Sequence, residues 1–141
     1  MSHHRLHIVF ALIAGSLALA GCRGAQQAQL NVLSVEQAST PDRDMVVYVE
    51  VVNHAKRPMR LQRLQYTFAS AGAQTTHGEL ELGYRLVDAG TAVVVEVPLP
   101  LADAALGTTL TLVGKLWAEQ DHIMRSFAVA AEVATPVERA P

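Results

Sequence analysis

The side chain best suited to covalent chemistry in this 141-residue chain is the thiol of Cys22, its one cysteine. A lone thiol has no disulfide partner within the chain, so a dedicated modification explains it better than oxidation. Before it come Arg5, an apolar run over 8–19, and the small residues Ala20 and Gly21. This order is typical of an export signal. Since the run is shorter than the roughly 20 residues that span a bilayer, it predicts a signal helix that is cleaved.

The four residues Leu19, Ala20, Gly21 and Cys22 resemble the lipobox of bacterial lipoproteins, in which a leucine and two small residues precede an obligatory cysteine. The resemblance implies cleavage after Gly21 and acylation of the Cys22 thiol, with palmitate among the chains. Two or more acyl chains hold a protein stably on a membrane. Arg23 instead of aspartate favours the outer membrane, facing the periplasm. The alternative is a free buried cysteine behind an ordinary signal.

The exported side chains include imidazole and thioether groups that could hold copper. The candidate ligands are His54, His77, His122, Met45, Met59 and Met124. His122-Ile123-Met124 resembles the His-x-Met end of periplasmic copper chaperones, but the rest of that pattern is missing. We therefore expect these residues at a loop–strand junction, and we expect no metal and no cofactor.

Catalysis finds little support in the residue pattern. The mature serines lack the glycines of a nucleophile elbow, and they are Ser34, Ser39, Ser70 and Ser126. With Cys22 committed to lipid, no nucleophile with a base is evident. We expect no catalytic residue and a protein that is not an enzyme.

Three other groups have a structural and a functional interpretation. Glu79 and Glu81 share one strand face and are expected to be solvated rather than to act as an acid pair. Three aromatic residues could form a ligand platform but are expected in the core or in cross-strand packing, namely Tyr66, Phe68 and Trp117. Gly78 indicates a bulge or a close backbone approach rather than a binding loop.

Length and charge bound the mature chain. Removing the signal peptide, 1–21, leaves 120 of 141 residues, enough for one domain with its own core. We expect a tether over 22–28, a folded domain over 29–134 and a flexible tail over 135–141. The whole chain has 11 basic and 13 acidic residues, so without Arg5 the mature chain has 10 against 13 and a net charge of −3. Lys and Arg form no stripe, which argues against nucleic acid as a partner.

Alternation of apolar and polar residues dominates the mature chain and predicts about seven strands, over 30–36, 44–53, 60–69, 74–82, 91–97, 108–118 and 125–133. Without a long helical period, this pattern predicts an all-β protein, an antiparallel β-sandwich, with a half-open barrel as the alternative. The strand 44–53 is apolar on both faces and is expected to be central. Leu61 is out of phase with Leu64, which predicts a bulge near Gln62.

Turn-forming residues separate these strands. Turns are predicted over 40–43, 70–73, 88–90 and 119–122, and one helical turn over 101–106. Because proline cannot donate to a strand ladder, Pro98 and Pro100 are expected to end the fifth strand.

Several segments share a further pattern, and they are Val47–Asn53, Pro58, Leu61, Leu64–Phe68, Gly78–Leu80, Leu86–Thr91, Val93–Pro98 and Gly114. Together they resemble the late-embryogenesis-abundant (LEA) type 2 family, also called the water stress and hypersensitive response domain. One departure is Asn53-His54-Ala55, where that family has Asn-Pro-Asn. We expect the Asn53 side chain to cap this turn. The resemblance implies a fibronectin type III-like or immunoglobulin-like sandwich, a link to desiccation and stress tolerance, and no catalytic residues.

These observations favour a non-catalytic, lipid-anchored envelope protein that binds or protects other molecules under water stress. Its expected partners are a membrane, through the lipid on Cys22, and an envelope protein, but not nucleic acid. One alternative is an accessory or assembly subunit that binds a partner through a sheet edge. A weaker alternative is a periplasmic copper-binding protein.

Overall fold

Strict alternation of apolar side chains produces a molecule built of strands. The computed structural model describes residues 27–38, 45–70, 73–100 and 109–136. Its seven strands are β1 (Ala28–Gln37), β2 (Met45–Asn53), β3 (Met59–Ser70), β4 (Ala73–Val87), β5 (Ala92–Leu99), β6 (Thr109–Gln120) and β7 (Ile123–Ala134). All pairings are antiparallel and form two sheets, ordered β1-β2-β5 and β4-β3-β6-β7. The predicted all-β antiparallel sandwich is confirmed, and the described residues contain no helix.

The central position predicted for the second strand is confirmed. β2 lies between β1 and β5, and its residues alternate between buried and half-buried along its whole length. Val47 faces Val97 and Val49 faces Val95 across the β2–β5 ladder. Such cross-strand pairs of β-branched residues stabilise a sheet because their side chains pack on one face.

The core fills the space between the inner faces of the two sheets. Its largest fully buried side chains include Phe68, Met59, Leu61, Leu64, Leu112 and Leu116. Tyr66 and Phe68 meet edge to face, with ring centroids 5.6 Å apart and planes at 68°, a favoured arrangement of aromatic rings. Burial raises the pKa of the Tyr66 phenol, because loss of water disfavours the phenolate.

The bulge expected near Gln62 is confirmed. The register of β3 shifts between Leu61 and Arg63 against both of its neighbours. Opposite it, β4 bends at Gly83 and Tyr84, which both have positive φ angles. The paired irregularities return Leu64 to the core face and turn Arg63 outward.

Several boundary predictions were wrong, among them the end of the fourth strand, which was predicted at residue 82 and lies at Val87. Pro98 lies inside β5, which continues to Leu99, because β5 is an edge strand and one side of its backbone needs no ladder partner. The loop predicted over 119–122 is a two-residue hairpin turn, Asp121-His122, with φ angles of 53° and 63°. Two central residues with positive φ are typical of a type I′ turn, and Asp and His adopt this region more readily than most residues.

The turn predicted over 88–90 is present, with the Thr91 amide donating to the Asp88 carbonyl at 3.1 Å. Gly90 has a φ of +72°, which glycine adopts without the steric penalty of a Cβ. Ala28, assigned to the tether, is fully buried at the start of β1, and Thr135, assigned to the tail, is also buried.

Several predictions fall outside the described residues. These are the signal peptide 1–21 with its cleavage motif Leu19, Ala20 and Gly21, the lipidation site Cys22, the turn at 40–43 and the helical turn at 101–106. Within the described part of the chain, no helix has the length and apolar character needed to cross a membrane.

Candidate functional site

The candidate copper ligands lie on several elements of the described structure. Met45 and Met59 are buried in the core. His122 lies in the β6–β7 turn and Met124 at the start of β7, which is the expected loop–strand junction. Among the described residues, no three His, Cys, Asp or Glu side chains are grouped as metal ligands.

The serines lie on separate elements. Ser34 is on β1 of the three-stranded sheet, with its hydroxyl 3.4 Å from a Glu36 carboxylate oxygen. Ser70 ends β3 and Ser126 is on β7, opposite Trp117. Ser39 lies outside the described residues.

The outer face of the four-stranded sheet carries a connected set of side chains. This outer-face cluster consists of Arg63, Gln65, Glu79 and Trp117. The Trp117 indole N–H donates to Gln65 Oε1 at 3.2 Å, and Gln65 Nε2 donates to Glu79 Oε2 at 3.2 Å. Arg63 Nη1 lies 3.9 Å from Glu79 Oε1, and its guanidinium lies over the indole, 5.0 Å from the ring centroid.

The pairing register of β3 with its two neighbours brings the side chains of the outer-face cluster together. Arg63 pairs with Trp117 across β3–β6, and Gln65 pairs with Glu79 across β3–β4. Because the bulge at Gln62 changes the phase of β3, Arg63 joins the outward side chains of its neighbours. Arg63 Nε is buried and has no hydrogen-bond partner in the described part of the structure, so the guanidinium is held by its contact with the indole and by the ion pair with Glu79.

The interpretations of the acidic and aromatic residues are confirmed. Glu79 and Glu81 are exposed on the outer face. Tyr66 and Phe68 are core residues, whereas Trp117 is half-buried in cross-strand packing. Sequence reasoning missed that Arg63 covers the Trp117 ring, because that contact depends on the bulge.

Glycines line the inner side of the sheet beside Tyr66. Gly78 and Gly114 both face Tyr66, one from β4 and the other from β6. A Cβ at Gly78 would lie 2.3 Å from Tyr66 Cζ, so the ring occupies the space that the glycine leaves free. The predicted bulge or close backbone approach at Gly78 is thus not what the structure has, because the group that approaches Gly78 is the Tyr66 side chain. At Gly114 a Cβ would lie only 2.0 Å from the Gln65 carbonyl oxygen.

A shallow concavity of about 480 Å³ lies next to the cluster on the same face and is lined in part by Gln65, His77, Glu79 and Lys115. His77 Nδ1 and the Thr67 hydroxyl are 3.0 Å apart. The lining offers donors, acceptors and both charge signs at an open surface. This chemistry is suited to hydrogen-bonded contact with a polar surface.

Replacing Arg63 with alanine is expected to uncover the Trp117 ring. Trp117 is the one tryptophan of the chain, so its fluorescence reports this site alone. We expect stronger quenching by acrylamide and a loss of about 0.5–1 kcal/mol of unfolding free energy. Arg85→Ala is the control, because it also removes an arginine side chain but on β4, two strands away from Trp117. Equal quenching in the two variants would contradict the stacked arrangement.

A second surface lies where the chain enters the sandwich. We call this surface the chain-entry end. It comprises Gln27, the loops 54–58, 88–91 and 121–122, and the three strand residues on either side of each loop. The His54 amide donates to the Gln27 carbonyl at 2.8 Å, and His54 Nε2 lies 2.8 Å from Gln29 Oε1. The incoming chain is thus held against the 54–58 loop.

Asn53 organises this end and caps the turn as predicted. Its amide group donates to the carbonyls of Arg57 at 2.8 Å and Val87 at 3.0 Å, while its Oδ1 accepts from the Ala55 amide at 2.9 Å. Its backbone joins the 88–91 turn through Thr91 and Gly90, each at 2.9 Å. Since Asn53 is fully buried, these bonds replace all of its contact with water.

The fold gathers basic residues at the chain-entry end, although the sequence shows no basic stripe. Lys56, Arg57 and Arg60 follow one another along the chain. Arg125 arrives from β7 and lines, with Lys56 and Arg57, a concavity of about 460 Å³. Sequence reasoning missed this grouping because Arg125 is distant in sequence, and the one available signal was the short run from Lys56 to Arg60.

The sheet edges differ in how they are protected. β1 packs against β7, which closes one side of the sandwich. On the other side β5 carries Pro98, and β4 carries the bend at Gly83 and Tyr84. Prolines and bulges of this kind obstruct strand pairing at an edge.

No protein-family model matches this chain, and no curated protein matches it. Among solved structures, the consortium target SoR45 is 15% identical, with a TM-score of 0.55 over 82% of this chain and 92% of that chain. A Bordetella pertussis protein named ApaA is 14% identical, with a TM-score of 0.50 over 82% and 98% of the two chains. A late embryogenesis abundant protein is 15% identical, with a TM-score of 0.46 over 84% and 77%. The first two likenesses show the fold alone.

Proposed function

We propose that this chain is a non-catalytic, lipid-anchored envelope protein whose β-sandwich is a LEA type 2 domain that binds or protects other molecules under water stress. The observation that carries the anchoring is the order of Arg5, the apolar run and the Leu19-Ala20-Gly21-Cys22 motif. A folded strand begins at Ala28, a few residues after the motif. The anchor would therefore hold the domain close to the lipid, on the outer membrane and facing the periplasm.

The LEA type 2 assignment is supported by where its pattern lies in the fold. Val47–Asn53 occupies the central strand β2, and Leu86–Thr91 spans the end of β4 and the following turn. Asn53, the residue kept from the family's Asn-Pro-Asn, joins that turn to the 54–58 loop. The matching residues thus form a central strand and a turn that hydrogen bonds join, as expected of a shared domain pattern.

Binding rather than catalysis is proposed because the exposed features are broad polar surfaces. In the outer-face cluster the Trp117 indole donates to Gln65, and the carboxylate Glu79 accepts from Gln65 beside Arg63. A surface already hydrogen-bonded in this way presents a fixed polar pattern to another molecule. It provides no nucleophile paired with a base.

Mass spectrometry of the native protein is expected to find a chain that begins at Cys22 and carries acyl groups. The Cys22→Ser variant is the matched control. It should lack these acyl groups and leave the membrane fraction.

The native protein should also raise the activity recovered from a reporter enzyme after drying and rehydration, compared with heat-unfolded protein. An unprocessed start or a bare thiol would refute the anchor, and equal recovery would refute direct protection.

An accessory subunit remains the second candidate, in which a partner contacts the exposed side chains of Tyr84 and Leu86 on the edge strand β4 without pairing with its bent backbone. Crosslinking in the native envelope should then yield one stable partner attached to β4. Loss of that product in a Tyr84→Ser variant would support this candidate over the first.

A further inference from the structure

Charge is distributed unevenly along the long axis of the sandwich. Of the seven Lys and Arg among the described residues, five lie at the chain-entry end, and they are Lys56, Arg57, Arg60, Arg85 and Arg125. Three acidic residues lie there, Asp88, Glu119 and Asp121, so five positive against three negative charges give a formal charge of +2. At the opposite strand ends the described charged residues are Glu36 and Glu132, both acidic. The axis therefore has a positive end where the chain enters.

Most of this positive charge is available to a partner. Arg57 pairs with Asp121, and Arg85 donates to the Val94 carbonyl at 2.6 Å. Lys56, Arg60 and Arg125 are exposed and form none of the ion pairs found among the described residues. Three unpaired cations at one end attract anions without first giving up an internal partner.

Exposed apolar side chains accompany these cations. Leu86 is 47% exposed, Ile123 55% and Met124 39%. Register places Leu86, Arg60, Glu119 and Met124 in one row across the outer face of the four-stranded sheet. Cations interspersed with exposed apolar groups are suited to the boundary between lipid headgroups and acyl chains.

The lipid anchor of the proposed function would place this end near the bilayer. Gln27 lies five positions after Cys22, so an extended tether spans at most about 18 Å. Gln27 is bonded to the 54–58 loop that carries Lys56 and Arg57. An acyl chain on Cys22 thus keeps these side chains near the headgroups at a high effective concentration. The attraction acts over a Debye length, about 8 Å at physiological ionic strength.

We propose that the chain-entry end is a docking surface for anionic phospholipid headgroups. Docking orients the long axis of the sandwich perpendicular to the membrane in which the lipid on Cys22 is anchored. This proposal rests on the lipid anchor of the proposed function. In the docked state Lys56, Arg60 and Arg125 lie against lipid phosphates, and Leu86, Ile123 and Met124 enter the interface. The acidic opposite end then points away from the membrane, and the outer-face cluster lies on a face perpendicular to it. Both stay free for other molecules.

The test uses the intact acylated protein added to preformed vesicles of phosphatidylcholine, with or without phosphatidylglycerol. Flotation reports anchoring, and amide hydrogen exchange over 54–58 and 121–125 reports docking. We expect flotation with both vesicles but slower exchange, by roughly tenfold, only with phosphatidylglycerol. Inorganic phosphate added to phosphatidylcholine vesicles separates headgroup docking from binding of free phosphate, and it should leave exchange unchanged.

The matched variants are the pair Lys56→Glu with Arg125→Glu, and Lys115→Glu as control. Lys115 lies in the middle of β6, so its reversal makes the same chemical change away from the chain-entry end. We expect the double variant to float normally and to lose the protection from exchange, and the control to keep it.

Each outcome bears on a different proposal. Flotation on both vesicles with equal exchange overturns docking and leaves the anchor intact. Flotation only with phosphatidylglycerol refutes the anchor and supports the surface, and no flotation on either refutes both. Protection by inorganic phosphate alone, or loss of protection in Lys115→Glu as well, overturns the assignment to a lipid surface.

Discussion

Replacement of Gly114 with alanine is expected to lower the free energy of unfolding by about 3 kcal/mol or more. The added Cβ would lie 2.0 Å from the Gln65 carbonyl oxygen and 3.1 Å from Tyr66 Cα. Both atoms belong to the backbone of β3, so no side-chain rotation relieves the overlap. The β3–β6 ladder must open where it covers the core, and urea unfolding followed by circular dichroism measures the loss.

Gly90→Ala is the control for this prediction. Nothing lies within 4 Å of a Cβ at Gly90, but its φ is +72°, so the same substitution adds only backbone strain of about 1–2 kcal/mol. We therefore expect Gly114→Ala to be clearly less stable than Gly90→Ala. Similar midpoints for the two variants would mean that β3 and β6 are not as close at this point as the structure has them.

Replacement of Asn53 with alanine is expected to reduce the free energy of unfolding by about 3 kcal/mol, because three backbone groups lose their partners in buried or partly buried positions. Those groups are the carbonyls of Arg57 and Val87 and the amide of Ala55. Asn53→Asp keeps the acceptor but loses both donors and places a carboxylate near two carbonyl oxygens. It should also be destabilised although its shape is unchanged, which separates lost hydrogen bonds from a cavity.

Asn31→Ala provides the comparison, since the Asn31 amide donates to Glu50 at 3.2 Å in a partly exposed position. Water can replace that partner, so we expect a loss below about 1 kcal/mol. Hydrogen exchange adds a local measurement, because Asn53→Ala should increase exchange in both the 54–58 loop and the 88–91 turn. An effect confined to one of them would contradict the role of Asn53 as the link between them.

Alternation of side chains was enough to predict the strands and the central place of β2, because burial on both faces requires apolar residues on both. The phase change between Leu61 and Leu64 likewise predicted the bulge, since a period of two tolerates no extra residue without one. Pro98 was misread because sequence does not reveal which strands are edges. The connection over 119–122 was predicted two residues too long because neither Asp121 nor His122 is the glycine or asparagine that usually marks a two-residue turn.

The candidate surfaces were harder to predict than the strands. Arg63 covers Trp117 only because two distant strands pair in one register, and Arg125 joins Lys56 only because β7 begins beside the 54–58 loop. Such neighbours are set by sheet order, which local pattern does not specify. Asn53 was predicted as a turn cap from its residue type, but its bond to Val87 again depends on the tertiary fold.

The placement of β3 beside β6 also determines when the domain can fold. Leu64 and Leu116 are paired in the β3–β6 ladder, so a long loop must close before the four-stranded sheet has its centre. Until β6 is present, β3 has only β4 as a neighbour, and a lone hairpin is marginal in water. A chain that emerges in N-to-C order from a ribosome or a translocation channel would therefore lack the centre of the four-stranded sheet until β6 is out. Truncation before β6 should therefore leave a species prone to degradation rather than a smaller folded domain.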